Sequence, residues 1–134
     1  MSELGRIRGR VENGWWGTVL DAPDPPALAR FYARLLGWRI HRDEGDYVTV
    51  APPEGVTYLG FQFSENYEPP VWPNTQGRQQ MQLHLDLEVL DLDGAVEDAL
   101  ARGARLAEFQ PQDDVRVMLD PAGHPFCLYL GTDD

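Results

Sequence analysis

The stretch LDAPDPPALARFYARLLGW, residues 20–38, predicts the end of a strand, then an α-helix and the start of the next strand. Asp24 is a favourable helix N-cap, and the prolines after it suit the first helical turn, where a missing N–H costs no hydrogen bond. Gly37 then ends the helix, because glycine readily adopts the left-handed conformation of a C-terminal cap. Between these two ends the apolar residues recur at helical spacing: Leu28, Phe31, Tyr32, Leu35 and Leu36.

The second half of the chain repeats this order of signals. Asp91 caps a second helix that stops at Gly103, 67 and 66 residues after the matching Asp24 and Gly37. Each helix follows a predicted strand and precedes three more, so the repeat indicates one pseudo-symmetric domain of two modules. The predicted strands are Trp15–Asp21, Trp38–Arg42, Tyr47–Ala51 and Thr57–Phe63 in the first half, and Met81–Val89, Arg105–Glu108, Val115–Leu119 and Phe126–Leu130 in the second.

The segment between the two halves, Ser64–Gln80, contains three prolines and a glycine and has no hydrophobic period, which is typical of a linker or a lid. We therefore expect a flexible N-terminal arm over residues 1–13 and a single domain over 14–134. Within that domain the predicted parts are module one (14–64), a connector (65–80) and module two (81–131).

The charge of the chain narrows the classes of partner. It contains 11 basic residues, all arginine, and 22 acidic residues, for a formal net charge of −11. Such a chain repels polyanions, so we expect it to bind neither nucleic acid nor an anionic membrane surface, whereas a cationic ligand is compatible. A single cysteine, Cys127, excludes an intrachain disulfide and a cysteine-cluster zinc site. With no long apolar run and no secretory signal, we expect a soluble cytoplasmic protein.

The alternation along the strands predicts which side chains face away from the helices. In module two, His84, Asp86 and Glu88 share that face with Cys127 and Tyr129 of the last strand. By the same parity, module one presents Gly17, Val19, Asp21, Tyr58, Gly60 and Gln62. Polar groups on the concave side of curved sheets would line a cavity, which is a natural ligand site. The alternative is that this face is simply solvated.

Three stretches of the chain resemble the vicinal oxygen chelate superfamily, the group of glyoxalases, bleomycin-resistance proteins and extradiol dioxygenases. They are LDAPDPPALARFYARLLGW (Leu20–Trp38), MQLHLDLEV (Met81–Val89) and DPAGHPFCLYL (Asp120–Leu130). The resemblance implies an α+β fold of two tandem βαβββ modules whose curved mixed sheets surround a cavity. It covers residues 15–130, but neither the helix motif nor the DPAG hairpin encodes a substrate.

Metal-dependent members of that superfamily hold a divalent ion with one ligand from the first and the last strand of each module. Carried onto this chain, the four positions are Gly17, Gln62 (or Gly60), His84 and Cys127. Glycine offers no side-chain donor and glutamine is a weak one, so we expect no cofactor. The alternative is a divalent metal such as Zn, Ni, Fe or Mn on Gln62, His84 and Cys127.

His84 is the first candidate for chemistry, either as a general base or as a histidine with only a structural hydrogen bond. Asp86 is a candidate to orient it, and Cys127 is a candidate nucleophile if His84 lowers its pKa, or else a buried apolar residue. Trp72 in the connector either covers a pocket or pins the loop. The predicted catalytic candidates are thus His84, Asp86 and Cys127, and the predicted ligand-binding residues are Gln62, Trp72, His84, Asp86, Cys127 and Tyr129.

These observations favour a glyoxalase-like domain without a functional metal site that binds a small cationic or aromatic molecule in the sheet cavity. A second hypothesis is an enzyme of the superfamily (a lyase, isomerase or dioxygenase) that uses His84 with a degenerate divalent metal site or as a general base. A third is a regulatory domain that needs only the fold. Because relatives often pair modules across two chains, we also expect a homodimer.

Overall fold

The computed structural model describes residues 7–131, and within them the chain forms eight strands and two helices. In chain order these are β1 Trp16–Ala22, α1 Pro25–Leu36, β2 Arg39–Asp43, β3 Tyr47–Ala51, β4 Thr57–Phe63, β5 Leu85–Val89, α2 Leu92–Ala101, β6 Arg105–Leu106, β7 Val115–Leu119 and β8 Pro125–Leu130. Of the predicted N-terminal arm, residues 1–6 lie outside the described part, and residues 7–14 form two turns.

The strands form two four-stranded sheets with the same topology, β1-β4-β3-β2 in module one and β5-β8-β7-β6 in module two. The first and last strands of each module pair in parallel, and the remaining neighbours pair antiparallel. This arrangement confirms the predicted α+β fold of two βαβββ modules. Each helix connects the first strand to the rest of its own sheet and packs against that sheet.

Both predicted N-caps and the predicted stop of α1 form, whereas α2 ends at Ala101 with Arg102 as its C-cap, before the predicted stop at Gly103. Asp24 accepts a hydrogen bond from the backbone N–H of Ala27 at 3.4 Å, and Asp91 accepts one from Gly94 at 3.0 Å. Gly37 ends α1 with φ of 71°, in the left-handed region that favours glycine. The two caps are therefore the local signals that place both helices one turn after their strands.

Two strands of module two are shorter than predicted. β5 begins at Leu85 rather than Met81, because its partner β8 begins at Pro125, which has no N–H to extend the parallel ladder. β6 ends at Leu106 rather than Glu108. Beyond it the side-chain amide of Gln110 bonds both the N–H and the C=O of Val117, at 2.8 and 2.9 Å, and so occupies the edge that a longer β6 would pair with.

One buried hydrogen bond joins the two modules. The Tyr32 hydroxyl on α1 donates to Asp120 Oδ2 at 2.7 Å, and Asp120 Oδ1 accepts from the N–H groups of Ala122 and His124, both at 2.9 Å. Burial, with the neighbouring Asp120 charge, raises the pKa of Tyr32 well above its usual value, so the hydroxyl stays a donor. The ring of Tyr32 also packs on Phe126 of β8. The turn before β8 is thereby fixed against module one.

No helix in residues 7–131 is long and apolar enough to cross a membrane. The longest, α1, has 12 residues and packs against its sheet along one side.

Removing the buried link should destabilise the fold. We expect Asp120→Ala to lower the free energy of unfolding by about 2–4 kcal/mol, because it leaves one hydroxyl and two N–H groups without an acceptor, and Tyr32→Phe by about 1–3 kcal/mol. Urea unfolding followed by circular dichroism measures both. The exposed Asp113→Ala is the matched control and should stay within about 0.5 kcal/mol of the parent chain. If Asp120→Ala and Tyr32→Phe changed the free energy of unfolding as little as this control does, the structural role of the pair would be contradicted.

Candidate functional site

A pocket of about 300 Å³ lies on the face of the module-two sheet that points away from α2. We call it the module-two pocket. Its lining combines two carboxylates, one imidazole, one thiol, one phenol and one amide with two apolar side chains. The lining residues are His84, Asp86, Gln112, Asp114, Val115, Cys127, Tyr129 and Leu130. Four of the six predicted ligand-binding residues are thus together here.

Strand register places the central pair of this pocket. Asp86 on β5 lies directly beside Cys127 on β8, whose other neighbour is Val117 on β7. Leu85 and Leu87, on either side of Asp86 in the chain, pack against the core instead. A carboxylate and a thiol therefore face the same space because strand alternation points both away from the apolar core.

His84 completes the group with a short contact. Its Nε2 lies 3.1 Å from Asp86 Oδ1, and the two side chains are 38% and 58% exposed. Within one extended strand these side chains would stand roughly 7 Å apart. His84, however, precedes the first residue of β5, so its side chain turns toward Asp86. The contact holds the imidazole by the carboxylate, which is the arrangement by which a carboxylate orients a histidine base.

Cys127 lies in an environment that disfavours its thiolate. Burial raises the pKa of the thiol to about 11, and the charge and hydrogen bonding of the Asp86 carboxylate act in the same direction. The hypothesis of a nucleophile activated by His84 requires a lowered pKa and does not fit this environment. At neutral pH Cys127 is a protonated thiol.

The matching positions of module one hold no ion ligand. A shift of 67 residues carries His84 onto Gly17, and the register pair Asp86–Cys127 onto Val19–Gly60. Cys127 therefore corresponds to Gly60 rather than Gln62. A β-carbon at Gly17 would stand 2.5 Å from the ring of Tyr58, and one at Gly60 would stand 3.0 Å from the hydroxyl of Tyr47. Tyrosines occupy the space that ligands from these positions would need.

Gln62 is also engaged elsewhere. Its amide nitrogen donates to Asp21 Oδ1 at 3.0 Å on the module-one sheet, and it does not line the module-two pocket. The four-position ion site implied by the sequence resemblance therefore does not fit this chain. Tyrosine side chains cover Gly17 and Gly60, and the amide of Gln62, the first choice for the last-strand position of module one, pairs with a neighbouring carboxylate.

A second depression, of about 350 Å³, lies between the end of β1, the connector and the residues before β5. Leu83 alternates with His84 in the predicted strand Met81–Val89, which predicts a side chain that faces the helix, but it is half exposed and lines this depression instead. His124 lies at its edge, with Nε2 2.7 Å from the backbone oxygen of Asp21. Tyr67 donates to the carbonyl of Ala122 at 2.8 Å, so these groups tie the connector and both modules together.

Trp72 pins the connector. Its indole Nε1 donates to the backbone oxygen of Phe109 at 3.0 Å, and the two rings stand 6.0 Å apart. Trp72 lines neither the module-two pocket nor the depression beside the connector. Of the two roles that its position in a proline-rich loop suggests, the contacts correspond to the structural one.

Four residues that line the pocket escaped the sequence reasoning: Gln112, Asp114, Val115 and Leu130. Asp114 and Val115 stand at the start of β7 and line the pocket beside Tyr129, the register partner of Val115. The alternation argument considered only the first and last strands of each module. Extending the same parity to β7 would have found Val115, and the two acids before it, Asp113 and Asp114, were the available signal for a second carboxylate.

A comparison with protein families decides the membership of the chain. The profile described as "Glyoxalase-like domain" matches residues 17–129, which is most of the sequence. The chain belongs to the glyoxalase-like domain family. The match spans all elements from β1 to β8, so the two modules together make up the glyoxalase-like domain. No curated protein matches the chain.

Solved structures share the fold of this glyoxalase-like domain at low sequence identity. A glyoxalase/bleomycin resistance protein/dioxygenase family enzyme from Burkholderia phytofirmans PsJN is 22% identical, with a TM-score of 0.62 over 84% of this chain and 94% of its own. A fosfomycin resistance protein from Mesorhizobium loti is 14% identical, with a TM-score of 0.64 over 91% and 95%. At these identities the likeness establishes the fold and not the ligand.

The thiol of this glyoxalase-like domain should react slowly. Because Cys127 is the only cysteine, alkylation by iodoacetamide followed by mass spectrometry reports its thiolate directly. We expect a rate that rises with pH toward about 11, and a higher rate at pH 8 for Asp86→Asn, which removes the adjacent negative charge. Glu88→Gln, on the same strand but outside the pocket, is the control. Equal rates for all three proteins would show that Asp86 does not hold the thiol protonated.

Proposed function

We propose that this glyoxalase-like domain binds a small organic cation with an apolar or aromatic part in the module-two pocket, without the four-ligand metal centre of metal-dependent relatives. The observation that carries the proposal is the charge of the lining: Asp86 and Asp114 contribute carboxylates. Among the described residues that line the pocket, none is lysine or arginine. A concave site of one sign concentrates ligands of the opposite sign.

The phenol of Tyr129 supports the same choice of ligand. Tyr129 lines the pocket beside the apolar residues Val115 and Leu130. An aromatic face attracts a cation, and apolar neighbours favour a ligand that carries hydrocarbon next to its charge. The net charge of −11 also attracts cations over a longer range. Anionic ligands are disfavoured on each of these grounds.

Three probes of similar size and different charge test the proposal: benzyltrimethylammonium, benzyl alcohol and benzoate. We expect the cation to bind most tightly and benzoate least, as measured by calorimetry and by chemical-shift changes on chelator-treated protein. Asp114→Asn should weaken binding of the cation by about 0.5–1 kcal/mol, or about two- to fivefold, without affecting the alcohol. Benzoate binding as well as the cation, or no effect of Asp114→Asn, would refute a site selected by charge.

The contact between His84 and Asp86 supports a second candidate function, general-base catalysis on the bound molecule. An imidazole 3.1 Å from a carboxylate and 38% exposed can accept a proton from a ligand that enters the pocket. Recovery of the ligand after incubation, followed by mass spectrometry, separates the two functions. An altered ligand with the parent chain and an unaltered one with His84→Gln would establish catalysis, whereas unchanged ligand throughout would leave binding.

The homodimer stays a prediction, and exposed apolar side chains on module one support it. Trp15 and Val19 face away from α1 and are 48% and 39% exposed, and Trp15 stacks on His41 at 5.1 Å. Light scattering after size exclusion measures the mass. We expect twice the chain mass for the parent protein and a shift toward monomer for Val19→Asp, with the exposed Val11→Asp as control. A monomeric parent at high concentration would refute the dimer.

A further inference from the structure

The module-two pocket brings together three donor types that metal ions use. The imidazole of His84, the carboxylate of Asp86 and the thiol of Cys127 each present one ligand atom, and these atoms all lie within 4.8 Å of one another. They come from the residue before β5, from β5 itself and from β8, so all three belong to module two. This set differs from the one implied by the resemblance, because no donor comes from module one and Asp86 is an added ligand.

The distances suit a small tetrahedral ion. Bonds of 2.0–2.3 Å at tetrahedral angles place neighbouring donors about 3.5 Å apart. The two donors of His84 and Asp86 are 3.1 Å apart already. The parallel register fixes the backbones of Asp86 and Cys127 side by side, and the side chains of His84 and Asp86 are partly exposed. Rotation of side chains therefore closes the remaining gap without any movement of the sheet.

The charges also suit a divalent ion. One thiolate and one carboxylate balance two positive charges, while the imidazole binds as a neutral ligand. The ion takes the place of the thiol proton, which leaves to solvent as the sulfur–metal bond forms. Sulfur and imidazole donors favour zinc over magnesium, calcium or manganese, which prefer oxygen ligands. A second carboxylate, Asp114, stands in the same pocket to hold ligands or water around the ion.

We infer that the module-two pocket is a three-donor site for one zinc ion, bound by His84, Asp86 and Cys127 within a single module, with its fourth coordination position open to the pocket. A site of three protein ligands and one open position leaves room for an exchangeable water or a ligand atom. The inference does not rest on the organic-cation proposal, since Asp114, which tests that proposal, is not a donor to the ion.

Cobalt(II) in place of zinc makes the site visible. We expect chelator-treated protein to bind one equivalent with a thiolate-to-cobalt absorption band in the near ultraviolet and tetrahedral bands in the visible, both lost when zinc is added. Cys127→Ser should remove the near-ultraviolet band. Cys127→Ser and Asp86→Asn should each weaken zinc binding at least tenfold. Loss of even a residue that only supports a metal ligand lowers metal affinity about 10–100-fold. Glu88→Gln, with its carboxylate on the same strand, should bind as the parent does.

Circular dichroism of each metal-free variant shows that its fold is intact, so a lost band reports the site. Two results would indicate an adventitious ion only. One is a stoichiometry above one with no near-ultraviolet band, and the other is equal zinc binding by the parent chain, Cys127→Ser and Asp86→Asn. Either result overturns the inference. Neither result bears on the binding of benzyltrimethylammonium, which is measured without metal and depends on Asp114.

Discussion

The parallel pairing of the first and last strands in each module is the constraint on which the site depends. A parallel pair requires a crossover connection, here beginning with a helix, and the helix covers one face of the sheet. Alternation then sends every second residue of both strands to the opposite face. In module two that rule sets Asp86 beside Cys127, with His84 one residue before the strand. The chemistry of the pocket follows from which residues occupy these few positions.

The two modules share a topology and differ in what they place on this face. At the positions equivalent to His84 and Cys127, module one has Gly17 and Gly60, and tyrosine side chains lie where ligand side chains would begin. Module one therefore presents tyrosine rings and the hydrogen-bonded pair Gln62–Asp21, while module two presents carboxylates, an imidazole and a thiol. Both modules keep the same strand order because each sheet buries apolar side chains against its helix. The polar face carries no such demand, so the two copies diverge there.

Much of the architecture was predictable from local signals. Helix N-caps, the glycine stop at Gly37 and strand alternation act within a few residues, and together they predicted both helices, the module order and the face of the sheet that carries the pocket. What was missed depends on residues distant in sequence. β5 is short because of Pro125 on its partner, and β6 is short because Gln110 bonds Val117. The Tyr32–Asp120 hydrogen bond spans 88 residues, and no local pattern announces it.

The same distinction explains which parts of the site were predictable. Strand alternation alone predicted that Asp86 and Cys127 share one face of the sheet. The protonation state of the thiol, however, depends on how close the two groups come and how deeply they are buried. In isolation a histidine nearby would favour the thiolate. In the folded chain burial raises the pKa of the thiol, and the Asp86 carboxylate acts in the same direction because it opposes a second negative charge.

The consequence is a pocket that accepts positive charge more readily than it creates a nucleophile. Two carboxylates and an ionisable thiol meet with only one imidazole to offset them, so each added cation relieves the repulsion among them. A proton on Cys127 relieves part of this repulsion, and the proposed zinc ion or organic ammonium group would relieve more of it. In the proposed function, charge therefore selects the ligand first, and the apolar side chains of Val115 and Leu130 limit how much hydrocarbon that ligand can carry.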